Sequence, residues 1–202
     1  MNHLRFAADL PVTLTAEGQA LPQRFNGVAY SGRRVPGQNC IIDLGTVEVA
    51  ARMPLLVEHD RGRVAGVVEV ATVASHSLTV SGRLFSDMAD SDAERIAQLA
   101  TKGAIYQMSV GVYAFTEQVV SVGEAVAVNG ASHPGPVVVL RKGKIREVSI
   151  VVLGADHGST LAMFSAGTRP TAGVVLSPQA YFAKAAREAA EFRARQAGRA
   201  TR

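Results

Sequence analysis

The sequence predicts a mainly β fold with a minority of helix, an α+β body, and three observations predict it. Valine-rich segments recur along the chain and are broken by glycine, a composition that suits pleated, half-buried surfaces. Several segments, "HSLTVSGRLF" (76–85) among them, alternate apolar and polar side chains at the period of a strand. One internal stretch carries a full set of helix start and stop signals. With 202 residues, 48% of them hydrophobic and 19% charged, the chain suits one globular domain with an appendage better than two full domains.

Taken in order, 22–30 ("PQRFNGVAY") reads as a first strand, and "SGRRVPGQN" (31–39) as a loop broken by Gly, Pro and Asn. Residues 53–58 form an apolar strand that delivers His59, and a glycine-bearing turn follows. Residues 64–73 and 76–85 pair as a hairpin with "ASHS" near its turn. Ser91 and Glu94 match a capping box, in which the hydroxyl takes one free amide and the carboxylate reaches back to another. Ile96, Leu99 and Ala100 supply the apolar stripe of this helix of about ten residues; Lys102 suits its negative end and Gly103 its left-handed stop. Residues 104–116 and 117–128 read as strands, the second closing at Asn129-Gly130, and "ASHPGP" extends that loop. "VVVL" and "IREVSIVVL", joined at "RKGK", are the last two strands. The resulting division is a body over 1–165, a linker over 166–176, and a basic helix and tail over 177–202 that starts at Ser177-Pro178.

The charge of +4 is a property of that tail, where six Lys/Arg face two Asp/Glu between 184 and 202; the rest of the chain balances. The body therefore has no basic face for specific nucleic-acid binding. The single cysteine, Cys40, excludes an intramolecular disulfide and a Cys-based zinc site, and before an apolar pair it reads as a small buried hydrophobe. No apolar run approaches the roughly 18–20 residues that cross a bilayer, and the N-terminal segment lacks the apolar core of a secretory leader. No metal or cofactor is expected.

Three residues could do chemistry. In "IYQMSVGVY", alternation puts Tyr106, Met108, Val110 and Val112 on an apolar face, with Ser109 and Gly111 on the mixed one. In "KIREVSIVVL", Glu147 sits among apolar neighbours on the face of Ile145, Ser149 and Val151, and a carboxylate there needs a partner. That partner is either an arginine, Arg146 or Arg141, or the ring of His59. The order His59, Ser109, Glu147 fits an acyl-transfer triad: serine needs a base, and the base needs a third group to orient it. Spacing alone leaves both readings open.

The blocks "MPLLVEHDRGRVAGVVEV", "DSDAERIAQLATKGAIYQMSVGVYA" and "IREVSIVVLGAD" resemble, in order and spacing, those of the tailed-phage prohead serine protease family, itself similar in fold to the herpesvirus assemblins. The resemblance spans roughly 22–165. It implies a closed or partly open β-barrel flanked by helices, with a C-terminal helical arm. It implies a serine endopeptidase that cleaves scaffold and capsid-protein extensions, and itself, inside the immature head in the host cytoplasm. His59 then matches the base, Ser109 the nucleophile and Glu147 the acid. Assemblins use a second histidine as third member, so His157, just after the last strand, is the rival to Glu147. The glycine-bearing "GAD" turn around Gly154 is the candidate source of the oxyanion amide. The resemblance further implies a homodimer acting on head proteins, without cofactor and without a membrane. The alternatives are a non-catalytic capsid or scaffold component with a protease-derived fold, and an unrelated β-rich binding module.

Overall fold

A computed structural model of the chain describes residues 21–74 and 76–165. The linker and basic helix expected beyond 165 lie outside the described residues. Within them the chain is mostly β: β1 (Arg24–Tyr30), β2 (Cys40–Ile42), β3 (Glu48–Val49), β4 (Met53–Val57), β5 (Asp60–Ala74), β6 (Ser77–Leu84), β7 (Gln107–Tyr113), β8 (Thr116–Val120), β9 (Ala125–Val128), β10 (Ala131–Pro134), β11 (Val137–Arg141), β12 (Lys144–Val151) and β13 (Ala162–Phe164), with one helix, α1 (Asp92–Thr101).

The principal sheet runs β13-β1-β6-β5-β4-β12-β3, and β7 also pairs β12. The long β5–β6 hairpin and the β1–β6 pair are antiparallel. β12 takes β4 and β3 in parallel along one edge and β7 antiparallel along the other. A second sheet, β2-β11-β8, and a β9–β10 hairpin complete the body. No pairing joins the two ends of the principal sheet among the described residues, so the barrel is not closed. Nor is it flanked by several helices: α1 alone is present there.

Helix α1 starts as its capping box requires. The Glu94 amide donates to Ser91 Oγ at 3.0 Å, while the Glu94 carboxylate accepts from the Asp90 amide at 2.8 Å, one residue earlier than anticipated. Its buried stripe is Ala93, Ile96 and Ala97 rather than Leu99, which is 42% exposed. The expected strand over 117–128 is interrupted by a turn at 121–124, where Gly123 takes φ +87°, and so becomes β8 and β9. Asn129 and Gly130 both adopt positive φ and close β9 onto β10, so "ASHP" is a strand and not an extension of the loop. His133 accordingly lies in β10.

The main core gathers Phe25, Tyr30, Leu55, Val68, Met108 and Ile150, among others, all within a few percent of full burial. Each such side chain stabilises the fold by about 1.5–3 kcal/mol before entropy is counted. Met108, Val148 and Ile150 lie under the strands that carry the polar residues discussed next, and so hold those strands in fixed register.

Candidate active site

Three neighbouring strands, β4, β12 and β7, bring His59, Glu147 and Ser109 together. On β7 the alternation holds as read: Met108 is fully buried, Val110 and Val112 pack on the core, and Ser109 and Gly111 face the other way. On β12 it does not. A bulge between Ile145 and Glu147 shifts the register by one residue, so Ile145 joins Val148 and Ile150 in the core. Glu147 and Ser149 therefore share the opposite face, without Ile145. Across β12 and β7, Glu147 is paired with Gly111 and Ser149 with Ser109.

His59 does not end a strand. β4 stops at Val57, which pairs Asp60, leaving Glu58 and His59 as a two-residue hairpin loop. Both have positive φ, 51° and 59°, the geometry of a type I′ turn. Side chains other than Gly, Asn or Asp are disfavoured there by roughly 1–2 kcal/mol each. Hydrogen bonds to β12 and the residue after it hold the turn: the Glu58 amide donates to the Ile150 carbonyl at 3.0 Å, the His59 amide to Ser149 Oγ at 3.1 Å, and the Val152 amide to Glu58 Oε1 at 2.9 Å. Gly62, expected in a turn, lies within β5. Strain kept in place by the surroundings is common where a side chain must be aimed; here it aims the imidazole.

The ring bridges the other two groups. His59 Nδ1 is 2.8 Å from Glu147 Oε1, and His59 Nε2 is 2.9 Å from Ser109 Oγ. A carboxylate only accepts, so Nδ1 carries the proton and Nε2 is free to accept the Ser109 hydroxyl proton. The imidazole is 43% exposed while Glu147 is only 5% exposed, so the base meets solvent and the acid is walled off. The hydrogen bond to Glu147 holds the His59 pKa above the usual 6.5, with burial acting in the opposite direction and the Glu147 and Glu58 charges adding to the rise.

Two residues outside the sequence-derived set complete the arrangement. Ser149 Oγ donates to Glu147 Oε2 at 2.8 Å while accepting the His59 amide. Both oxygens of the acid are thus engaged, and acid and base are tied through one hydroxyl. The signal for it was in the sequence: Ser149 follows Glu147 at the strand period of two. Gly111 is required by close approach, because a Cβ there would lie 2.1 Å from Glu147 Oε1. The space above Ser109's neighbour is filled by the carboxylate.

The other sequence candidates lie elsewhere. His157 is exposed in the loop after β12, and the Nδ1 position it would have occupied holds Glu147. Arg141 pairs Asp43, and Arg146 forms no ion pair with Glu147. The Gly154 amide donates to Gln107 Oε1 at 2.8 Å, so it is not free to meet an oxyanion. The same loop is clamped by Asp156, which accepts from the Ser31 amide at 2.5 Å and from Ser31 Oγ at 2.8 Å. Ala155 and Asp156 form one wall of a cleft of about 340 Å³ that also exposes His59 and Ser109. Among the described residues, no cluster of His, Cys, Asp and Glu is arranged to hold a metal ion.

No family model matches the chain, and no curated protein matches it. Among solved structures, the KSHV protease in complex with a hexapeptide phosphonate inhibitor is similar at a TM-score of 0.42 and 14% identity, over 82% of this chain and 77% of that one. The resemblance to the prohead proteases stands on the sequence blocks alone, and the chemistry stands on the residues.

Proposed function

We propose that this chain is a serine endopeptidase acting through an acyl-enzyme, and that its substrates are scaffold and capsid-protein extensions in an immature phage head. The observation that carries the chemistry is the continuous hydrogen-bonded line from Ser109 Oγ through the His59 ring to Glu147. Ser109 Oγ attacks the scissile carbonyl as His59 Nε2 takes its proton. The imidazolium, steadied by Glu147 through Nδ1–H, then returns that proton to the leaving amine. Water repeats the sequence to release the acyl group and restore the serine. The Ala155 amide makes no hydrogen bond of its own among the described residues, and Ala155 is one of the residues lining the cleft that holds Ser109. We assign it the oxyanion, in place of Gly154.

The head-maturation context rests on the order of the sequence blocks, as do self-cleavage, a homodimer and work inside the head within the host cytoplasm. The preformed triad geometry counts against a non-catalytic shell component, and the convergence of His59 and Ser109 on one cleft counts against an unrelated binding module. Purified protein mixed with the capsid and scaffold proteins of the phage or prophage encoding it is expected to yield discrete fragments, read by mass spectrometry, and the Ser109→Ala protein none. Intact head proteins alongside cleavage of other polypeptides would remove the maturation role and leave the peptidase.

A further inference from the structure

A second cavity, of about 380 Å³, lies next to the cleft that holds Ser109. Tyr113 and Glu147 line both, so the two share a wall. The second cavity has an apolar floor, Pro54, Leu56 and Val64, and two guanidinium groups, Arg61 and Arg146. Arg61 stacks over the Tyr113 ring at 5.6 Å from its centroid. Arg146 is the residue at the β12 bulge, so the irregularity that turns Glu147 toward His59 also places a cation beside it.

Neither arginine has an internal counter-ion among the described residues: no carboxylate there forms an ion pair with Arg61 or Arg146. The one carboxylate in the cavity wall, Glu147, has Oε1 taken by His59 and Oε2 by Ser149. Exposed arginines are commonly just solvated. Here, though, two same-sign groups border one apolar-floored cavity that shares Tyr113 and Glu147 with the cleft of the reacting hydroxyl, and the methylene-plus-carboxylate shape of an acidic side chain fits floor and rim together.

We infer that the Arg61–Arg146 cavity is a substrate subsite that takes an aspartate or glutamate side chain near the scissile bond. This rests on the peptidase reading above and adds the substrate class to it. A carboxylate in such a site gains charge-assisted hydrogen bonds, which corresponds to a preference of about 10–100-fold over the neutral amide analogue.

The test is digestion of a proteome-derived peptide library by the full chain, with cleavage sites read by mass spectrometry. Wild-type sites are expected to be enriched in Asp and Glu at one fixed position, and matched Glu and Gln peptides to differ in kcat/KM by about 10–100-fold. The Arg61→Gln/Arg146→Gln protein is expected to lose that enrichment, and Arg61→Glu/Arg146→Glu to favour Lys or Arg at the same position. Ser109-dependent cleavage with no acidic preference, or an acidic preference that survives both double variants, overturns the subsite alone. No Ser109-dependent cleavage at all overturns the peptidase reading and the subsite with it.

Discussion

Replacing Ser109 by alanine is expected to lower kcat on the order of 10⁶-fold, and His59→Ala to cost about as much. The double variant is expected to be hardly slower than either single one. The reason is geometric: Ser109 Oγ sits 2.9 Å from His59 Nε2, and neither group does chemistry without the other. A hydroxyl without its base is a weak nucleophile, and a base without the hydroxyl has no proton to take. Rate losses that multiply in the double variant would show that the two residues act in separate steps. Steady-state kinetics on one cleaved peptide, with folding checked by circular dichroism, decides between these outcomes.

The second large effect is expected at Glu147. Glu147→Gln keeps the shape of the side chain but turns its amide group the wrong way. Ser149 Oγ already accepts the His59 amide and gives its proton to the atom at Oε2. An amide oxygen at that position preserves the pattern, which leaves the NH₂ facing His59 Nδ1. Nδ1 must then accept, so the ring proton moves to Nε2 and Ser109 loses its base. The loss in kcat is about 10⁴-fold, the scale found when an orienting acid is replaced by its amide. The pH profile shifts as well. His59 works as the neutral base, so activity rises with pH through its pKa. The hydrogen bond to Glu147 holds that pKa above 6.5, and its removal moves the acid limb to lower pH. The same pair ties stability to pH: its contribution is full below 6.5 and is lost as pH rises through the elevated value.

Gly111→Ala is expected to reproduce this from the neighbouring strand. Its Cβ would fall 2.1 Å from Glu147 Oε1 and 2.9 Å from the carboxyl carbon, so the acid must move by an ångström or more. Displacement of that size costs about 10²-fold in rate. His157→Ala, by contrast, is expected to leave the rate and the acid limb in place, because His157 is exposed and contributes nothing to the Nδ1 side of the ring. The reverse ordering of Glu147→Gln and His157→Ala would give the third role to His157.

The strand carrying Ser109 was legible because its alternation is unbroken, and α1 because Ser91 and Glu94 state its start. His59, Ser109 and Glu147 could be named from ordered motifs. What hid from the sequence were departures from local rules. Glu58-His59 lacks the Gly or Asn that advertises a type I′ turn, since tertiary hydrogen bonds to Ser149 and Ile150 hold it. The bulge at Arg146 reversed the face expected for Ile145, and no residue type there announces it. β2 was missed because three residues paired in parallel to β11 carry no turn signal and no alternation long enough to read. The place of Gly111 on the mixed face is legible in the sequence, but that Glu147 packs over it depends on cross-strand register, which periodicity does not specify.

The central claim is that Ser109 is a nucleophile activated by His59, and a fluorophosphonate probe tests it most directly. The account predicts a single covalent adduct, mapped by peptide mass to Ser109 Oγ, forming on the order of 10²–10⁴-fold more slowly in His59→Ala. A native protein that forms no adduct, one labelled at another residue, or one labelled equally fast without His59 would contradict it.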